Sequence, residues 1–341
     1  MRNNIFILII FFIIVFVILF YESIIYFLIQ NFKTKYKVGF IIREYGSNDF
    51  EALEVEKLNR TSSILGIKIE LGKFKEIDEQ YNIAKDLIKK GCKIIVFYNG
   101  LTIKNKIYSL SKEYENIKFI LVDAILSEYP KNVISFSYDY QEMGGFIGSV
   151  LSVLSKNQYI GFIGSISKPP IDDIRKGVEE SVNFYNFKFN KNYKFVYKFI
   201  DIDYKGDVKK NPFNFPEAAK ELAFELYKNY KPYFLVCAAG LSNFGIYEIA
   251  KDLKLYLINF DNVNLNFLLN NNIAFSVIRN IDRCLLSIIE KIIQNKVENK
   301  NYIFNLSTNS FEFISSNILK ISNEEWEYIS IINRYIIEKS Y

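Results

Sequence analysis

Histidine is absent from all 341 residues. Serine–histidine and cysteine–histidine nucleophile pairs are therefore excluded, and so is the commonest zinc ligand. Cysteine is scarce. Cys92, Cys237 and Cys284 lie far apart in apolar runs, which gives neither a disulfide framework nor a paired-cysteine metal site and predicts three buried thiols. Neither sign of charge dominates: 43 basic residues face 38 acidic ones, for a net charge of +5. With no basic stripe interleaved with aromatics, nucleic acid is not an expected partner. No GxGxxG and no P-loop occurs, and no nucleophile stands beside a base. The sequence thus predicts no enzyme, no cofactor and no metal site.

Half of the residues are hydrophobic, enough for a sizeable core. The abundance of Ile, Lys, Asn, Tyr and Phe matches a chain encoded by AT-rich DNA, so a single aromatic carries less meaning than usual. The longest hydrophobic run is at the start. Ile5 to Tyr21 is 17 uninterrupted apolar or aromatic residues, broken by Glu22 and Ser23 and continued by Ile24 to Ile29. About 20 apolar residues span a bilayer, so residues 1–30 are expected to form an uncleaved transmembrane anchor. No small-residue cleavage pattern follows the run, and Cys92 is far too distant for a lipidation site. Charge does not fix the orientation. Arg2 precedes the span, while Lys33, Lys35 and Lys37 follow it, a flank that favours the opposite topology to an exported domain.

Residues 31–36 read as a linker. Beyond them, short β-rich runs alternate with helical stretches of 10–15 residues, the pattern of βαβ units around parallel sheets. Strands are expected at 37–43, 67–71, 93–98, 118–123 and 133–136, then at 159–163, 194–200, 233–237, 255–260 and 274–278. Helices are expected at 50–65, 78–90, 104–114, 141–155, 171–185, 216–230, 245–253, 282–294 and 323–340. The fold class is α/β, with two doubly wound parallel-sheet lobes and a hinge. The first lobe is assigned 37–139 plus about 264–300, the second 140–263 plus about 301–341.

Doubly wound sheets bind ligands beyond the carboxyl ends of their strands. The residues found there are Asn48, Asp49 and Phe50 after the first strand, Asn99 and Gly100 after the third, and Asp123 after the fourth. In the second half they are Ala238-Ala239-Gly240, Asp261-Asn262 and Arg279. Each has an ordinary alternative: Asn48 or Asp49 as a helix N-cap, Asn99-Gly100 as a turn, Arg279 paired with Asp282. Asp172-Asp173, in the first turn of a helix, is read as structural.

Several segments resemble the basic membrane protein family, bacterial surface lipoproteins of the type I periplasmic-binding-protein fold that include purine nucleoside receptors serving ABC transporters. Gln141-Glu142, Gly148, Leu154-Ser155-Lys156, Ile160 to Gly164, Pro169, Ile171 and Gly177 fall at the family's spacing. Ala238 to Lys251 (AAGLSNFGIYEIAK) looks like the family's AAGGTGxGVIEAAK, Asp261 stands in its VDxDQ, and Ser276 to Asp282 looks like SxxKRVD. The resemblance implies an extracytoplasmic solute-binding protein for a nucleoside-like ligand, delivering it to an ABC transporter permease. It carries ligand positions to Asp49, Phe50, Ile174, Gly240, Asp261 and Arg279. There are departures: Glu51 stands where the family has Asn, Arg279 where it has Lys, Ile174 where it has a second Phe, and no lipidated Cys follows the hydrophobic run. A surface sensor or interaction protein that keeps the fold with a degenerate pocket is the alternative.

Overall fold

Residues 36–44, 58–59, 66–128, 130–206, 211–260, 272–298, 300–316 and 319–339 are described by the computed structural model. The hydrophobic run at 5–29 and nearly all of the helix expected at 50–65 lie outside them. Among the described residues no helix is long and apolar enough to cross a membrane.

The first unit takes in the described residues up to Ser137 together with Leu285–Tyr302. The strands are β1 (Tyr36–Arg43), β2 (Ile67–Phe74), β3 (Ile94–Phe97), β4 (Lys118–Val122) and β5 (Val133–Tyr138), interleaved with α1 (Glu79–Lys89), α2 (Gly100–Ile103) and α3 (Ile107–Glu113). β3 is buried at every residue. A short run of this kind, Ile94 to Phe97, can be satisfied only in the middle of a sheet covered on both faces. β2 is mixed, IKIELGKF with exposed Lys68 and Leu71, and forms the sheet's edge.

The second unit takes in the described residues of Tyr138–Cys284 and Ile303–Tyr341. It contains α4 (Tyr140–Leu154), β6 (Tyr159–Gly164), α5 (Ile171–Phe189), β7 (Lys194–Phe199), the short α6 (Ile200–Asp203), α7 (Pro216–Tyr230), β8 (Phe234–Ala238), α8 (Asn243–Ala250), β9 (Tyr256–Phe260) and β10 (Ile273–Arg279). The chain passes back through α9 (Ile281–Ile293) and returns through β11 (Asn301–Phe304) to β12 (Phe311–Ser315) and α10 (Asn323–Lys339).

The two sheets repeat one plan. The first runs β11-β5-β4-β3-β1-β2 and the second β12-β10-β9-β8-β6-β7. Within each, the five principal strands pair in parallel and are ordered 2-1-3-4-5. This is a doubly wound order, whose direction reverses between the first and third strands. The expected doubly wound α/β class is seen in each unit.

An asparagine marks the same place in each. Asn132, one residue before β5, donates through Nδ2 to the carbonyls of Ser111, Tyr114 and Ile117, while its own carbonyl accepts Phe119 N–H. Asn272, one residue before β10, donates to Ala250 and Leu255, and its carbonyl accepts Leu257 N–H. In both units the amide fastens the end of one helix to the start of two strands, satisfying carbonyls that a helix terminus leaves over.

The lobe boundaries differ from the expectation in one respect. Residues 264–300 were assigned to the first lobe, but β10 lies in the second sheet, parallel to β9 and antiparallel to β12. Its run IAFSVI is buried throughout and needs a neighbour on each side. The chain rejoins the first unit only at Leu285, inside α9, and leaves it at Tyr302, inside β11. The helix expected at 104–114 is seen as α3, and the short α2 precedes it where no helix was expected.

Helices α4 and α5 cross at unusually close range. A Cβ on Gly144 would lie 2.1 Å from the Ile174 carbonyl oxygen, one on Gly148 2.6 Å from that of Val178, and one on Gly177 2.0 Å from that of Gln141. Only hydrogen fits at these positions. The three cysteines are buried free thiols, as expected.

Candidate functional site

In the first unit, the reversal of strand order falls between β1 and β3. Asn99, two residues after β3, is half-buried; its carbonyl accepts the N–H and the hydroxyl of Thr102, while its side chain does not cap α2. The turn role is therefore filled by the backbone, and the carboxamide is not consumed by it. Gly100 follows because a Cβ there would lie 2.7 Å from the Val122 carbonyl oxygen. This contact draws Asn99 beside the end of β4, where Asp123 takes a left-handed conformation at φ 53°. Aspartate tolerates that region better than most residues. Asn99 and Asp123 are thus brought to adjacent strand ends of one sheet. Asn48, Asp49 and Phe50, also assigned to this edge, lie outside the described residues.

In the second unit the reversal falls between β6 and β8. Gly240 follows β8 at φ 59° and opens a single 3-10 turn, Gly240–Ser242. The turn is pinned from both sides. The Asn243 carboxamide accepts Ala239 N–H and donates to the Cys237 carbonyl. The Ser242 hydroxyl accepts Phe215 N–H and donates to the Pro212 carbonyl. Gly240 is left exposed at the sheet's carboxyl edge, and any residue with a Cβ would strain there.

Arg279 ends β10 on the same edge. It was expected to pair with Asp282 if it had no ligand role. Its Nη1 donates to the Tyr140 hydroxyl at 2.6 Å, and the guanidinium lies over the Tyr138 and Tyr140 rings at 5.6 and 5.9 Å. Tyr138 in turn packs on Phe304 and Phe311. Such stacking suits the planar guanidinium rather than an ammonium. Asp261 lies outside the described residues.

Ile174 is buried, at 3% exposure, in α5 where it crosses α4. Its backbone is the surface against which Gly144 packs. Asp172 and Asp173 are structural, as expected: Arg175 bridges Asp172 at 2.6 Å and Glu179 at 2.5 Å, while Lys176 reaches both aspartates.

Two residues at these strand ends escaped the sequence reading. Ser165 follows β6 at the reversal point, fully buried, with its N–H on the Ala238 carbonyl and its carbonyl accepting Asp201 N–H. Asp201 then holds the next turn by accepting Ser167 N–H and hydroxyl. Among the described residues the Ser165 hydroxyl has no hydrogen-bond partner. Gly164-Ser165 is visible in the sequence but reads only as a turn. Tyr140 is the second; nothing local announces that it will receive Arg279, 139 residues away.

Two doubly wound α/β units with polar residues at their strand ends define a fold that solute-binding proteins and some transcriptional regulators share. A solute-binding protein of an ABC transporter system from Aeropyrum pernix K1 superposes with a TM-score of 0.70 at 16% identity, covering 89% of this chain and 92% of that one. A transcriptional activator of the comK gene from Bacillus halodurans gives 0.69 at 17% identity, over 88% and 97%. At such identity the likeness is one of fold.

The family is set by the sequence: residues 29–340 match the ABC transporter substrate-binding proteins described as PnrA-like, and the chain belongs to that family. Basic membrane protein A1 of Borrelia garinii subsp. bavariensis is 25% identical over 64% of this chain and 57% of its own length. Basic membrane protein D of Borreliella burgdorferi is 22% identical over 62% and 58%. The chain thus spans under three fifths of these two relatives. Basic membrane protein A2 of the same Borrelia garinii strain is 26% identical over 81% and 74%.

Proposed function

We propose that this protein is the solute-binding component of an ABC importer, held at the outer face of the cell membrane by residues 5–29, and that its ligand is nucleoside-like. The observation that carries the reading is the family match across 29–340, with polar side chains at the carboxyl ends of the strands in both sheets. Within the first unit the ligand contacts are assigned to Asn48, Asp49, Phe50, Asn99 and Asp123, and within the second to Gly240, Asp261 and Arg279. A neutral ligand bearing hydroxyls and amide-like edges suits two or three carboxylates, one guanidinium and a few carboxamides. No cofactor takes part, and the permease is the macromolecular partner.

A thermal-shift panel of nucleosides, free sugars and amino acids on the purified chain tests the reading. A shift with a purine nucleoside, weakened at least tenfold in affinity by Arg279→Ala, is the expected result. A panel in which sugars or amino acids shift the transition and nucleosides do not would overturn the ligand class.

One observation favours a second reading, a surface sensor or interaction protein that no longer transports. Ile174 stands where the resemblance to the family implies an aromatic ring, and it is buried against α4. Under that reading no member of the panel shifts the transition, and Asp261→Ala leaves partner binding untouched.

A further inference from the structure

In the first turn of α4, Glu142 is 1% exposed. Among the described residues neither of its carboxyl oxygens has a well-formed hydrogen bond, and the Leu306 peptide N–H gives only partial compensation. A carboxylate in such surroundings is costly, because too little replaces the water it has lost. Its surroundings make matters worse for the charged form. Asp139, the N-cap of the same helix, accepts Glu142 N–H at 2.8 Å and so holds a second carboxylate close by.

The charges on neighbouring elements are committed elsewhere. On α5, Asp172, Arg175, Lys176 and Glu179 pair with one another, and Glu180 takes Gln141 and Lys339 of α10. From β10, Arg279 is bound to Tyr140. The segment Ile303 to Phe311 contains no charged residue. Burial and the neighbouring Asp139 push the Glu142 carboxyl up to about 7, against a weak opposing pull from the Leu306 peptide N–H.

Position gives the group its interest. The chain passes from one unit to the other at Ser137/Tyr138 and again at Tyr302/Ile303. Just beyond these points, Asp139 N–H bonds the Phe304 carbonyl at 2.7 Å and the Tyr138 ring packs on Phe304. Glu142 and Leu306 follow within a turn on either strand. We propose that Glu142 is a proton-sensitive joint: protonated, it lets the first turn of α4 pack against the Phe304–Thr308 segment; ionised, it admits water there and loosens both segments where they leave the unit boundary. The absence of histidine makes the device readable, since the α-amino group is the one other unperturbed titrating group near neutrality.

The test is hydrogen exchange on the full chain in detergent micelles at pH 6 and pH 8, corrected for intrinsic rates. Peptides covering 138–143 and 303–308 are expected to lose about tenfold in protection at the higher pH, and Glu142→Gln to abolish the difference. Equal protection at both pH values in the wild type, or an undiminished difference in Glu142→Gln, would overturn the proposal. Asp139→Asn gives a second arm should the glutamine variant not fold. Removing the like charge should move the midpoint of the loss to lower pH, and an unmoved midpoint counts against the joint.

Discussion

Asn132 shows how much one side chain can settle. Its amide serves three carbonyls from two elements while its own carbonyl serves a third. Replacement by alanine leaves those carbonyls buried and short of donors. Asn132→Ala should therefore destabilise the fold by about 2–3 kcal/mol in urea titrations. Asn132→Asp should do at least as much harm, since it keeps the shape and offers only acceptors. A loss below half a kcal/mol would show that water substitutes freely. Such a residue is invisible in the sequence, where asparagine before a strand reads as a turn. The strand-end residues Asn99, Asp123, Gly240 and Arg279 could be picked out because they follow apolar runs directly. The partners that orient them could not, because Tyr140 and Arg279 meet through the fold and not through spacing.

Among the elements, the crossing of α4 and α5 is the most tightly specified. Gly144, Gly148 and Gly177 each face a backbone carbonyl that cannot retreat. Gly145, on the same helix, faces the flexible Ile336 side chain at 2.6 Å instead. Gly177→Ala should thus cost about 3 kcal/mol and Gly145→Ala about 1 kcal/mol, read from chemical denaturation midpoints at constant slope. Equal costs would mean that the helices simply slide apart. Gly148 and Gly177 also lie in the segment that best resembles the family, so part of that resemblance records helix packing rather than ligand contact. Strand and helix periodicity were legible here, since apolar runs and amphipathic stretches of the right length leave few alternatives. The third strand's successor was harder. Gly100 lets a short helix begin immediately after Asn99, ahead of the expected one.

For the molecule as a whole, pH carries a signed prediction. The Glu142 carboxyl titrates higher in the native state than in the unfolded chain. The native state then binds the extra proton between about pH 4.5 and pH 7, so stability contributed by this group is complete below that window and declines through it as pH rises, by about 3 kcal/mol in total. Glu113 has the opposite sign. Hydrogen bonds from Lys85 and Tyr81 hold its carboxyl down to about 2, and its contribution, complete above the unfolded value, is lost as pH falls below that value toward about 2. Thermal midpoints should therefore fall from pH 5 to pH 7.5 in the wild type and stay nearly level in Glu142→Gln. A wild-type midpoint that rises over that range would refute the assignment. The doubly wound plan of both units was readable from alternation alone. The handover at 264–304 was not, because β11 is only four residues long and a buried run such as IAFSVI does not say which sheet receives it. That handover has a consequence for biosynthesis. β5 ends at Tyr138, yet its outer neighbour β11 is not made until residue 301. At ribosomal rates β5 waits about 10–30 s with an open hydrogen-bonding edge. A nascent chain is most exposed to strand-edge aggregation during that interval, and a stop codon anywhere before residue 301 would release a first sheet that lacks its last strand.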